Sequence, residues 1–258
     1  MRFKITLTGN YIRKGNMLPL SYQYEISSFI YKTLNKSDPV FTTWLHEKGY
    51  CSGNKPFKLF TFSMLNIDKF NISGDRIIIL SPTINFIISF LINDAINPFI
   101  LGLFKEQHMI IGDNKTQVEF DVSQISALPD IEFKEQMSFS TISPIFVDTF
   151  DPGKRYNSYI SPYHPDYSII IHNNLLEKYR LAYKKEPDKS WPVSQIKPLS
   201  EPKSKLITIK SGTENYSKIK AYNFKFGITA HPDLMRAGYY GGFGRLNSQG
   251  FGCVEQLI

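Results

Sequence analysis

Hydrophobic and polar residues alternate over residues 2–8 (RFKITLT), a period of two that predicts a β-strand. Two glycines and a proline over 9–20 predict a loop. Ile26, Phe29, Ile30 and Leu34 then recur at helical spacing within 21–35. Ser37-Asp38-Pro39 offers a capping side chain followed by a proline, the usual opening of a helix, and Gly49 can end that helix near Lys48. Alternation returns over 57–66 (FKLFTFSMLN), and 75–81 suggest another strand after a turn at Ser73-Gly74. Ser81-Pro82 reads as the cap of a helix over 83–96, and 108–120 as a further strand region.

The resulting order is strand, split helix, strand, strand, helix, strand, the βαββαβ order of a ferredoxin-like domain. Polar residues 121–136 are expected to bridge to a second round. There, strands are expected over 138–148, 203–210, 219–229 and 251–257, with a turn at Ser211-Gly212-Thr213. Helices are expected over 166–184 and 232–237. The fold class is therefore α+β, with two tandem ferredoxin-like domains at 1–122 and 136–258. The duplication rests on element order, since the two halves share no clear residue repeat.

Composition sharpens this picture in three ways. The most apolar stretch, Ile77–Phe104, is interrupted by Pro82, Asn85, Asn93, Asp94, Asn97 and Pro98, which argues against a membrane span. The start MRFKITLTGN lacks the apolar run of a signal peptide, and Cys51 and Cys253 are too few and too far apart for a disulfide framework or zinc ribbon. A reducing, cytoplasmic setting is the simple expectation. The formal net charge is +7, and between Lys178 and Lys210 nine Lys and Arg face three acids. A basic surface of this kind attracts polyanions and makes their binding salt-dependent. Tyr216, Tyr222, Tyr239, Tyr240 and Phe243 lie close by in sequence and offer rings for unpaired bases, or serve the core.

Residues 238–252 read GYYGGFGRLNSQGFG. Six glycines here permit positive φ and close backbone approach, so their N–H groups can form an anion-binding nest beside Arg245. The competing reading is a loop packed on a neighbouring strand. Neither a Walker A loop nor a dinucleotide fingerprint is present.

The pattern from Gly242 to Gly252, G-x-G-x-x-x-x-x-G-x-G with Phe243 and Phe251 between the outer pairs, resembles the C-terminal signature of the CRISPR-associated RAMP superfamily. Within it the chain resembles the repeat-RNA endoribonuclease, through MRFKITL, WLHEKGY, KPFKLFTFS, STISPIFV and DYSIIIHNNLLEKY. The resemblance spans nearly the whole chain and implies ferredoxin-like domains and cleavage of CRISPR repeat RNA without metal or cofactor.

Such a reaction needs a base for the 2′-OH, an acid for the leaving 5′-oxygen and a cation for the phosphorane. The resemblance places these roles on Tyr31, His46 and Lys58. His46 would be the acid–base group, Tyr31 would orient the ribose or donate a proton, and Lys58 would stabilise the phosphorane. From the residues alone, His46 could simply close its helix, Tyr31 could be a half-buried helix residue, and Lys58 a solvated edge lysine with Lys48 and Lys55 as competitors. The RNA surface is expected to include Gly242, Gly244, Arg245, Gly250 and Gly252, with Lys203, Lys205 and Arg236. His108, His164, His172 and His231 show no metal-ligand spacing. The partners implied are CRISPR repeat RNA and, downstream, an effector complex, with the protein a monomer or homodimer. Two rivals remain open at this point: a RAMP subunit that only holds guide RNA, and an RNA-recognition-motif protein, to whose RNP1 the segment SQGFGCVEQ bears a faint likeness.

Overall fold

The computed structural model describes residues 1–149, 158–209 and 216–257. Its first domain is a five-stranded antiparallel sheet, in the order Phe60–Phe62, Thr83–Phe90, Arg2–Asn10, Gln117–Ala127, His108–Gly112. Leaving aside the last strand as an added edge, this is the ferredoxin-like arrangement, with the first and third strands central. The helices Gln23–Ser37 and Ile96–Lys105 pack against each other, and the buried residues of both join the core formed by the sheet. Alternating strand residues, Ile5 and Leu7, Phe60 and Phe62, Ile84, Phe86 and Ile88, supply that core from the sheet side. The second helical element, Pro39–Glu47, starts as its sequence foretells: the Asp38 carboxylate accepts from the Phe41 N–H at 2.9 Å, and Pro39 sits in the first turn.

The second domain repeats the topology in a four-stranded sheet: Gln195–Pro198, Lys225–Thr229, Gln136–Thr141, Val254–Gln256. The helices Tyr167–Tyr183 and Pro232–Gly241 pack together, and their buried faces meet the sheet's Phe139, Phe226 and Ile228. A separate hairpin, Lys203–Ile209 with Ser217–Asn223, closes a small third core made of Phe146, Ile207, Ile209, Ile219, Ala221 and Phe251. The expected Ser211-Gly212-Thr213 turn and Lys210 lie outside the described residues.

Several elements differ from the sequence reading. Residues 83–90 form a strand and the helix begins only at Ile96. Ile84, Phe86, Ile88 and Phe90 are buried in alternation, as β-branched and aromatic residues between two paired strands should be. Pro98 is tolerated because first-turn N–H groups have no partner within the helix. Residues Arg76–Ile79 leave the main sheet for a small one with Met17–Pro19 and Phe70–Ser73. The 108–120 region is a hairpin whose second strand runs on to Ala127, paired with Phe3, so part of the expected bridge is sheet. The run 219–229 is divided at the buried Phe224 between the separate hairpin and the second-domain sheet.

The domains meet through specific bonds. Arg2 is 2% exposed, lies over the Tyr239 ring at 4.1 Å and donates to the Cys253 sulfur at 3.5 Å. Thr61 donates to the Phe251 carbonyl at 2.9 Å, and the Met64 N–H to the Ile142 carbonyl at 2.9 Å. Among the described residues no helix is long and apolar enough to cross a membrane.

Candidate active site

Tyr31 and His46 come from two helices and Lys58 from the link between two short strands, and all three line one open cleft of about 1150 Å³. Tyr31 projects from the Gln23–Ser37 helix, and His46 from the last turn of Pro39–Glu47. The two rings meet edge to face, with centroids 5.2 Å apart and planes at 86°, and Phe60 backs Tyr31 at 5.9 Å. Lys58 lies just after the short strand Lys55–Phe57, and its ammonium donates to the His46 carbonyl at 2.8 Å. Gly49, at φ +66°, makes that approach possible: a Cβ there would stand 2.7 Å from the Phe57 carbonyl oxygen and 3.1 Å from the Lys58 nitrogen. Of the competitors, Lys48 is exposed and Lys55 pairs with Glu177 at 3.2 Å; neither lines the cleft.

The environment sorts these groups chemically. Burial pushes the Tyr31 hydroxyl up to about 12, opposed by a hydrogen bond with the Ser248 side chain. Protonated at neutral pH, it has a hydrogen to donate to a bound group. Partial desolvation pushes the Lys58 ammonium down, making it a better acid than a solvated lysine. His46 is exposed at the cleft. Elsewhere in the cleft lining, burial pushes Glu25 up to about 7. Its Oε2 is buried and finds no hydrogen-bond partner among the described residues.

Ser248 belongs to the glycine-rich loop of the second domain, so the cleft is composite. The Ser27 hydroxyl donates to the Ser248 carbonyl at 2.8 Å, and Ser248 and Gln249 line the cleft wall. Gly242, Gly244, Gly250 and Gly252 are buried. Much of the loop's backbone is already engaged: the Phe243 N–H donates to Gly252, the Arg245 N–H to Phe146 and the Gly252 N–H to Pro144. Lys178 donates to the carbonyls of Gly242 and Gly244 and to Asn247 Oδ1. Arg245 is exposed and pairs with Asp148 at 2.5 Å.

The remaining basic positions spread out. Lys203 is exposed and Lys205 half-buried, on the hairpin face that Ile207 and Ile209 bury further along. Desolvation pushes Lys205 down. Arg236 is exposed, lies over Phe133 at 4.9 Å and does not line the cleft. Tyr239, Tyr240 and Phe243 are core residues rather than stacking platforms, since all three are buried in the second domain; Tyr216 is exposed. The sequence reading missed Ser248, Lys178 and Glu25. Ser248 was within the singled-out loop, and Lys178 continues the buried stripe of Ile171 and Leu175. Among the described residues no group of three or more His, Cys, Asp or Glu is placed to hold a metal ion.

Two ferredoxin-like domains in tandem, the second closing on a G-x-G-x-x-x-x-x-G-x-G loop that completes a cleft in the first, define the architecture of a RAMP protein. Two family models cover nearly all of the chain. "CRISPR-associated protein Cas6, N-terminal" matches residues 17–126, and "CRISPR associated protein Cas6, C-terminal" matches residues 128–256. The CRISPR-associated endoribonuclease Cas6 1 of Methanocaldococcus jannaschii is 30% identical over 100% of this chain and 93% of its own length. The CRISPR-associated endoribonuclease Cas6 of Pyrococcus furiosus is 27% identical over 99% of this chain and 89% of its own length. A solved structure of a Cas6-related protein from Pyrococcus furiosus superposes with a TM-score of 0.83 at 27% identity, covering 100% of this chain and 98% of the other. The chain belongs to the Cas6 family of CRISPR-associated proteins.

Proposed function

We propose that the chain is an endoribonuclease that binds CRISPR repeat RNA in the precursor transcript and cuts it into guide RNAs. One observation carries this reading: an exposed imidazole and a protonated tyrosine hydroxyl from two helices, and a partly desolvated ammonium from the link between two strands, line one cleft. In the reaction, His46 takes the proton of a ribose 2′-OH as that oxygen bonds to the adjacent phosphorus. The bond from phosphorus to the 5′-oxygen breaks, leaving a 2′,3′-cyclic phosphate. The departing oxygen takes up a proton and becomes a 5′-OH. Tyr31, protonated and edge-on to His46, donates a hydrogen bond to the ribose or supplies that proton. Lys58, fixed on the His46 carbonyl, offsets the charge that gathers on the phosphorane.

The RNA path we propose passes from this cleft along the glycine-rich loop to the basic hairpin. Gly242, Gly244, Gly250 and Gly252 set the course of the loop, and Arg245 reaches the backbone from it. Lys203 and Lys205 add phosphate contacts, and Arg236 lends longer-range attraction. The protein acts in the cytoplasm as a monomer or homodimer, and its product passes to a CRISPR effector complex.

The test is cleavage of labelled cognate repeat RNA in excess EDTA, by the wild type and by His46→Ala. The variant should lose about 10²–10⁴ in rate, the usual worth of a general acid–base group, and keep its RNA affinity. A deoxyribose just upstream of the cut should abolish cleavage. Tight binding by the wild type without any cutting would make the chain a subunit that only holds guide RNA. Equal cutting by wild type and variant would remove His46 from the mechanism.

A further inference from the structure

We infer that Lys178, a buried lysine of the second domain, is a positioning residue for the cleft of the first, clamping the glycine-rich loop so that Ser248 holds the Tyr31 hydroxyl. This inference rests on the nuclease reading of the cleft. Lys178 lies on the inward stripe of the Tyr167–Tyr183 helix with Ile171 and Leu175, and it is 1% exposed. A lysine at such a depth normally pairs with a carboxylate. Here its ammonium spends three donors on three neutral oxygens of one loop: the Gly242 carbonyl, the Gly244 carbonyl at 3.1 Å and Asn247 Oδ1 at 2.8 Å. Packing alone would be served by methionine or leucine at lower desolvation cost, so the ammonium specifies where the loop runs.

The clamp reaches the site in one covalent step. Asn247, held by Lys178 through its oxygen, uses its Nδ2 to tie the Phe243 carbonyl at 3.2 Å and the Phe251 carbonyl at 3.0 Å. Both arms of the loop therefore close on one side chain. The next residue, Ser248, sits in the short 3-10 turn Asn247–Gln249. Its carbonyl accepts from the Ser27 hydroxyl at 2.8 Å, and its side chain stands by the Tyr31 hydroxyl, which it draws downward against the effect of burial; both residues lie on the Gln23–Ser37 helix. Lys178 does not itself line the cleft, and its bond to Asn247 links it to Ser248, which does.

The experiment compares wild type, Lys178→Met, Ser248→Ala and the double variant by single-turnover cleavage with enzyme in excess, with RNA affinity measured separately. Amide hydrogen exchange of residues 242–252 is followed in the same proteins. Lys178→Met should slow cleavage about five- to tenfold, the worth of one hydrogen bond in the transition state, with affinity within about twofold. Exchange over 242–252 should quicken. The double variant should be no slower than the slower single, because both changes break one chain of contacts. Lys178→Gln, which restores two N–H donors, should recover part of the rate. Losses that multiply in the double variant, or a wild-type rate in Lys178→Met, would overturn the inference. Should Lys178→Met fail to fold, Asn247→Ala takes its place with the same expectations. Failure of the wild type to cut would refute the nuclease reading instead, and exchange over 242–252 would still decide whether Lys178 holds the loop.

Discussion

Replacing Gly252 by alanine separates two roles for the glycine-rich loop, internal packing and open contact with RNA. Gly252 has φ +77°, and a Cβ there would fall 2.0 Å from the Phe243 carbonyl oxygen and 2.7 Å from Asn247 Nδ2. The left-handed conformation costs an alanine about 1–2 kcal/mol. The Phe243 carbonyl is backbone and cannot rotate aside, so the loop must shift, adding about 1–3 kcal/mol of overpacking. The shift strains the Phe243 N–H to Gly252 bond and the Gly252 N–H to Pro144 bond, both 2.9 Å and each worth about 1 kcal/mol. A total of about 4–7 kcal/mol, at about 2–4 °C per kcal/mol for a chain of this size, lowers Tm by on the order of 10 °C or more. The assay is thermal unfolding of the free protein, followed by RNA affinity at a temperature where the variant is folded. The expected result is a large loss of Tm with a small change in Kd. A Tm within about 1 °C of wild type together with a tenfold weaker Kd would refute the packing argument and make Gly252 an open RNA contact.

Other outcomes follow from the same geometry. Lys58→Met should reduce the cleavage rate about 10²–10³-fold with RNA affinity little changed, the usual effect of removing a group that stabilises transition-state charge; a loss confined to affinity would assign Lys58 to binding. Lys203→Ala with Lys205→Ala should weaken RNA binding and flatten the plot of log affinity against log salt by about 0.7 per lost phosphate contact. An unchanged slope would place the RNA elsewhere. Glu25, raised to about 7 in the fold against 4.5 for its ordinary value, binds more protons folded than unfolded between these values. Stability should therefore fall as pH rises from about 4.5 to about 7 and level off above, and Glu25→Gln should flatten that limb. Tm measured across this range checks it, and a limb that survives in the variant would exclude Glu25 as its source.

Where a side chain's neighbours lie close in sequence, the chain was readable. The Asp38-Pro39 cap, the strand at residues 2–8 and the helix carrying Tyr31 obey local rules of capping and periodicity, and the structure follows them. The segment at 83–90 was misread because Ser81-Pro82 imitates a helix cap, whereas the burial that makes it a strand comes from partners at residues 2–8 and 60–62. The short strand Gln195–Pro198 has only four residues and was invisible to any pattern. At the site, Tyr31, His46 and Lys58 were named through family resemblance, and the structure brings all three to one cleft. Lys178 looked like one more cation in a basic run. Only the packing of its helix shows that it points inward, to oxygens more than sixty residues away.

The bond from Ser27 to Ser248 joins residues 221 positions apart. A ribosome that has released the first domain has therefore released Tyr31, His46 and Lys58 without the wall that Ser248 and Gln249 supply. The cleft takes its final shape only after the second domain has been made and has folded against the first. If the chain is the nuclease proposed above, it carries its own delay, since cutting of a precursor transcript would wait for the loop.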